Sequence, residues 1–201
     1  MQDIRALHRK AGAMAHGVIS HISPDQLSDP TPCTEWDVAA LINHLVNGNL
    51  RFVAMVTGQP GPDRGQDVLG QDHLAAFSDS FDQLCAAFDR EGMLEQTFPT
   101  PFGEGPGALL VTMRVGELTI HSWDLAAATG QPRDLDPELV AFADKSMRSR
   151  PIPRGGQSPF AEESSAPEGA TGADRLAAYV GRTVPAGPND SIGRAARPTN
   201  L

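Results

Sequence analysis

The sequence predicts an all-α fold, a four-helix bundle followed by a short C-terminal appendage. Three observations predict it. Aromatic residues make up 5% of the 201 residues while hydrophobic residues make up 40%. The core must therefore be built from Leu, Val, Ala, Ile and Met, a palette that suits helices better than β-sandwiches. Four long stretches carry apolar positions at spacings of three and four, the signature of an amphipathic helix. Connectors rich in Pro and Gly separate these stretches, and the chain length suits one core.

The first helix, over residues 3–22, aligns Ile4, Leu7, Ala11, Met14, Val18 and Ile22. The polar connector SPDQLSDPTPCTEWD follows. Thr34 is the expected N-cap of the second helix, with Asp37 reaching back from the third helical position as in a capping box. That helix runs over 35–57, with Trp36, Ala40, Leu41, His44, Leu45 and Phe52 near one face, and Gly58, Pro60, Gly61 and Pro62 end it. GPDRGQDVLGQ reads as loop. The third helix spans 71–91, with Leu74, Phe77, Phe81, Leu84 and Phe88 inward. PTPFGEGPG reads as a second loop. The fourth helix spans 107–129 and stops at Gly130, with Pro132 close behind. A fifth, over 137–148, offers Leu139, Phe142 and Met147 for packing. Residues 150–172, rich in Pro, Gly, Ser and Glu, read as an extended or partly mobile strap. ADRLAAYVGR reads as a last short helix near 173–181, and PAGPNDSIGRAARPTNL as a disordered tail. The bundle is thus assigned to 1–132 and the appendage to 133–201, with no internal repeat.

The formal net charge of −9 argues against nucleic acid or an anionic membrane as partner, since both demand clustered Lys and Arg. No apolar run approaches the roughly 20 residues that span a bilayer. MQDIRALHRKAGAMAH lacks the apolar core of a signal peptide, so a cytoplasmic location is expected. Cys33 and Cys85 suggest no disulfide framework and lack the paired spacing of a structural zinc site. Dimerisation through a bundle face is compatible with the pattern.

The segment GELTIHSWDLA concentrates the polar chemistry. On a helix, Glu117 and His121 stack one turn apart, among Leu110, Met113, Arg114, Leu118, Leu125 and Ala128. A carboxylate and an imidazole on a mostly apolar face are costly unless something satisfies them. A divalent metal would do so, and His44, mid-helix beside Leu41 and Leu45, is the candidate third ligand. Two His and one Glu form an open set for zinc and also accept nickel or iron. The plain alternative is a satisfied core histidine beside a solvated Glu–His pair. Asp124 has two readings: it orients a ligand histidine, or it bonds backbone or an Arg within the bundle. Trp36 and Trp123 read as core or pocket wall. Cys33 lies before a helix N-terminus, where a thiolate is favoured, or packs under the loop. Asn47, one turn beyond His44, is a candidate for reaching the pocket and a bound cofactor. Arg175 and Arg182 read as ties between the strap and acidic groups.

TPCTEWDVAALINHLVNGN and GELTIHSWDLAAATGQP resemble the two signature segments of actinobacterial DinB-like proteins, and more narrowly the mycothiol-dependent maleylpyruvate isomerase N-terminal-domain family. Its pattern is TPC-x-x-W-D, a His on the following helix, then E-L-x-x-H-x-W-D-L-A. FAEESSAPEGATGADRLAAYVGR is similar to the tail of a short subgroup ending in R-L-x-A-x-x-G-R. The resemblance spans residues 3–183. It implies a four-helix bundle holding a divalent metal, often zinc, through His44, Glu117 and His121.

It also implies mycothiol as a cosubstrate, its thiol made nucleophilic by the metal toward a small electrophilic substrate. The outcome is S-transfer, or isomerisation by addition and elimination. The family's isomerase carries an additional C-terminal domain, whereas only residues 131–201 follow the fourth helix here. S-transfer or a specialised biosynthetic reaction therefore suits this chain better than isomerisation of maleylpyruvate. Two other readings stay open: a non-enzymatic metal- or small-molecule-binding protein, and a metal-dependent hydrolase.

Overall fold

A computed structural model describes residues 3–34, 36–100, 103–149, 154 and 160–187. Its helices are α1 (Ile4–Ser20), α2 (Val38–Thr57), α3 (His73–Phe88), α4 (Gly107–Thr129), α5 (Pro137–Arg148) and α6 (Gly172–Tyr179). α1 packs on α3 and α4, and α2 on the same two helices, which closes a four-membered bundle. α5 lies against α4, and α6 against both.

Capping chemistry sets the helix starts. Asp3, Asp72 and Asp136 each accept a hydrogen bond from the first turns of α1, α3 and α5, and Thr171 and Asp174 form a capping box on α6. Gly58 and Gly130 adopt φ of 72° and 71° at the ends of α2 and α4, a left-handed conformation that glycine takes without steric cost.

Two local expectations are corrected. The second helix begins at Val38, a turn later than anticipated, and its N-cap is Asp37, which accepts from the Ala40 amide at 2.8 Å. Thr34 is exposed and is not the N-cap of this helix. The cause lies upstream. Thr31 Oγ1 donates to the Trp36 carbonyl at 2.7 Å and accepts from the Cys33 amide, and the Trp36 amide donates to the Cys33 carbonyl. These bonds draw Thr31, Cys33 and Trp36 together just before the helix. The second correction concerns the Pro/Gly stretch before α4. It forms an antiparallel hairpin, β1 (Thr97–Thr100) with β2 (Gly103–Pro106), because Phe98 enters the core opposite Gly105.

Three apolar clusters account for the packing. The largest joins Leu7, Ala11, Ala15 and Ile19 of α1 with Leu41, Ile42 and Leu45 of α2 and Val115, Leu118 and Leu125 of α4. A second, at the hairpin end, joins Val56, Phe88, Met93, Phe98 and Leu110. The third lies on the far side of α4, where Ile120, Trp123 and Ala127 meet Leu139's neighbour Val140 and Ala143 of α5 and Ala173, Leu176 and Ala177 of α6. α4 is therefore buried on nearly all sides from Arg114 to Ala128, Glu117 being only half-buried, as expected of a central helix. Each leucine so enclosed contributes about 2 kcal/mol of burial.

The appendage is fixed by polar bonds as well. Asp174 accepts from Trp123 Nε1 at 2.9 Å and pairs with Arg133 at 3.2 Å. Tyr179 is flanked by the guanidinium groups of Arg148 and Arg154. Of the tail read as disordered, Pro185 and Gly187 offer carbonyls to Arg133, and 188–201 lie outside the described residues. So do 150–153 and 155–159 of the strap.

One buried group makes the bundle acid-sensitive. His8 is 1% exposed, its ring lies 4.7 and 4.9 Å from those of Phe81 and Phe88, and its Nε2 has no partner among the described residues. Burial, reinforced by the charges of Arg114 and Arg9, lowers its pKa from 6.5 to about 3. The folded state thus refuses a proton that the unfolded chain accepts. Its stability is fully present above pH 6.5 and is lost as pH falls toward 3, by up to about 1.4 kcal/mol per pH unit. His8→Leu should flatten that dependence: between pH 7 and 4.5 its urea midpoint should fall less than that of the wild type.

Candidate functional site

The candidate site lies where α2 faces α4. His44, two turns into α2, and His121, in the C-terminal half of α4, meet edge to face, with ring centroids 5.1 Å apart and planes at 81°. Two imidazoles binding one ion at about 2 Å per bond place their nitrogens roughly 3.3 Å apart and their ring centres near 5 Å. Trp36, just before α2, stacks on His44 at 4.5 Å and lies 6.1 Å from His121. It forms an apolar wall of the site.

Neither ring nitrogen of His44 has a hydrogen-bond partner among the described residues. Burial, then the neighbouring His121, lowers its pKa to about 4, against the opposing pull of Glu117. His44 is therefore neutral at pH 7, as a ligand must be. Glu117 sits one turn before His121 and accepts from Arg114 Nη1 at 2.7 Å through Oε2. Burial alone would raise its carboxyl, but Arg114, His44 and His121 outweigh it and hold the group below the usual carboxylate range.

His121 is oriented by Asp124. Its Nδ1 lies 2.9 Å from Asp124 Oδ2. Asp124 has no exposed surface; burial would raise its carboxyl, but the bond to His121 and the charge of Arg182 hold it ionised. An ionised carboxylate assigns the proton to Nδ1 and leaves the Nε2 lone pair free. Asp124 also accepts from Arg182 Nε at 3.0 Å and Nη2 at 3.1 Å, the bond to an Arg that was one of the two readings for it.

Among the described residues, the trio whose donor atoms all lie within 4.8 Å of one another is Cys33, His121 and Asp124, not His44, Glu117 and His121. The Cys33 trio is already occupied by a cation of the chain itself. Arg182 Nη2 lies 2.8 Å from Cys33 Sγ while also bonding Asp124. A cation there would face a fixed positive charge. Burial, then the Asp124 charge, pushes the Cys33 thiol well above its normal range, so it stays protonated and donates to Asp124 at 3.3 Å. Cys33 thus packs beneath its loop.

Asn47 sits one turn beyond His44, but its amide nitrogen is spent on the loop after α2, donating to the carbonyls of Asp63 and Gln66 at 2.9 and 3.1 Å. Asn43 works beside it, donating to Gln66 and accepting from the Val68 amide. Trp123 is core. Arg175 is exposed and bonds the Ala170 carbonyl.

Sequence reasoning missed the support beneath Glu117. Arg114 has no exposed surface and donates to Asn49 Oδ1 through Nε (2.9 Å) and Nη2 (2.7 Å), and to the Leu45 carbonyl at 2.6 Å. The available signal was an Arg on an apolar stripe three residues before an acid. The same reasoning did not link Cys33 to Asp124, 91 residues apart, because nothing local reports that contact.

Helices packed face to face in one four-membered bundle define an all-α, DinB-like scaffold. The chain belongs to the mycothiol maleylpyruvate isomerase N-terminal domain family, whose model matches residues 8–126. An uncharacterized protein of Mycobacterium tuberculosis is 37% identical over 179 residues, covering 88% of this chain and 96% of that one. Another from the same species is 26% identical over 151 residues, covering 66% and 59%. The crystal structure of a mycothiol-dependent maleylpyruvate isomerase superposes with a TM-score of 0.57 at 18% identity, over 69% of this chain and 65% of that one. This likeness establishes the shared fold, and the chain spans 65% of that isomerase's length.

The buried Arg114 gives a sharp test of the site's framework. Asn49→Leu keeps the side-chain size but removes the acceptor for two guanidinium donors. Leaving buried guanidinium donors without an acceptor costs about 1–3 kcal/mol, so the variant's denaturant midpoint should drop accordingly. Asn49→Asp, which restores an acceptor, should lose less.

Proposed function

We propose that this chain is a metal-dependent enzyme that activates a low-molecular-weight thiol, mycothiol in keeping with its family, for attack on a small electrophilic substrate. The observation that carries the reading is the pair of imidazoles from facing helices, 5.1 Å apart, one held by a buried aspartate and the other without a hydrogen bond. His44 and His121 would supply nitrogens and Glu117 an oxygen, a donor set suited to zinc and acceptable to nickel or iron. When bound, such a cation stabilises a thiolate near neutral pH.

The chain's own residues prepare that chemistry. Asp124 fixes the His121 ring and its tautomer. Arg114 keeps Glu117 ionised and limits its rotation. Trp36 covers the His44 face and keeps water from it. A thiolate held at this site adds to an electron-poor alkene, epoxide or conjugated ketone. Retention of the new C–S bond, with the proton lost by the thiol returned to the carbanion or alkoxide so formed, gives S-transfer; for an alkene, loss of that bond after rotation about the former double bond gives isomerisation and frees the thiolate. Binding of a small molecule without turnover is the competing reading, and activity without added thiol would identify a hydrolase.

Two measurements check this. Purified wild type loaded with zinc should hold about one equivalent, and Glu117→Gln should bind it about tenfold or more weakly. Loss of an electrophile such as a conjugated ketone should require added mycothiol and fall by about 10³-fold or more in kcat/KM for His44→Ala. Equal turnover with and without the thiol, or by His44→Ala, would refute the proposal.

A further inference from the structure

Arg182 carries the appendage into the site. Arg182, two residues beyond the Val180 C-cap of α6, is 7% exposed and reaches both oxygens of Asp124. We propose that Arg182 is a positioning residue for His121, so that docking of the appendage on α4 and metal binding in the bundle are thermodynamically coupled. The proposal rests on the metal reading above.

The argument runs through Asp124. Its fully buried carboxylate has four contacts: His121 Nδ1, Arg182 Nε, Arg182 Nη2 and Cys33 Sγ. The two Arg182 bonds define the plane of the carboxylate as only a forked donor can. Remove them, and Oδ1 is buried with no donor, a state costly enough to turn the group away from its present pose. The His121 ring, aimed by its bond to Oδ2, would turn with it.

Arg182 is itself held by the appendage. Its amide donates to the Ala177 carbonyl at 2.9 Å, and its carbonyl accepts from Ser164 Oγ. Gly181, at φ 88°, turns the chain there, and a Cβ at that position would meet the Ala161 backbone at 2.8 Å. Upstream, α6 is seated by Leu176, Ala177 and Val180 on Ile120 and Trp123, and by the Trp123–Asp174–Arg133 cluster. Adjacent residues of α4, Trp123 and Asp124, therefore each grip the appendage, and the second of them also grips His121. Whatever orders residues 173–182 orders the imidazole, and coupling of this kind is reciprocal.

The experiment compares full-length wild type, Arg182→Met, Arg182→Lys and His44→Ala for zinc affinity by competition with a chromophoric chelator, with helix content followed by circular dichroism. Arg182→Met, with helix content unchanged, should bind zinc at least fivefold more weakly than wild type, as loss of a ligand's support does, and Arg182→Lys should recover part of the loss. A smaller effect in Arg182→Met, or no recovery in Arg182→Lys, overturns the coupling. If Arg182→Met does not fold, amide exchange of wild type decides: zinc should slow exchange over 173–182, and unchanged exchange refutes the proposal. Loss of binding in His44→Ala but not in Arg182→Met removes the coupling alone. Absence of zinc binding in wild type, or wild-type affinity in His44→Ala, removes the metal reading and the coupling with it.

Discussion

A carboxylate with no exposed surface, Asp124, is the constraint around which the molecule is arranged. Such a group survives in an interior only when its charge is balanced and its lone pairs are filled. Here the partners come from three separate parts of the chain. The segment before α2 brings Cys33, α4 itself brings His121, and the segment after α6 brings Arg182. The segment before α2, the central helix and the appendage must all be in place for one side chain to be tolerated.

The same logic repeats one level along α4. Arg114 is enclosed as completely as Asp124, and it too is satisfied by groups from different places: the Leu45 carbonyl and the Asn49 side chain of α2, and Glu117 on its own helix. The two buried charges, one of each sign, lie on either side of Glu117 and His121 in sequence. Each is compensated locally, so the site between α2 and α4 is flanked by fixed dipoles rather than by net charge. Preorganised polar groups of this kind need no rearrangement when a charged ligand arrives.

Much of this was readable in the sequence. The spans of α4 and α5 follow from their apolar spacing and their Gly130 and Pro137 boundaries, since those signals are local. The placement of His44 near His121 was also accessible, because each lay on the apolar face of a helix and the two faces had to meet. The start of α2 was misjudged because a side-chain-to-backbone bond from Thr31 competes with the first helical turn, and cap residues at 34 and 37 look alike in sequence. The hairpin was read as loop because its strands contain Pro and Gly, and only the burial of Phe98 against a distant cluster makes them pair. Asn47 looked inward by periodicity, yet its amide faces a loop whose path no periodicity reports.

That loop has a consequence of its own. Residues 58–72 carry little regular structure, yet Asn43 and Asn47 fasten them by gripping main-chain groups of Asp63, Gln66 and Val68. Fastening through the backbone is indifferent to which side chains the loop displays. An outward residue such as Arg64 is exposed and can be exchanged without rerouting the chain. The rim beside the bundle is thus free to diversify its chemistry while the two asparagines keep its course constant.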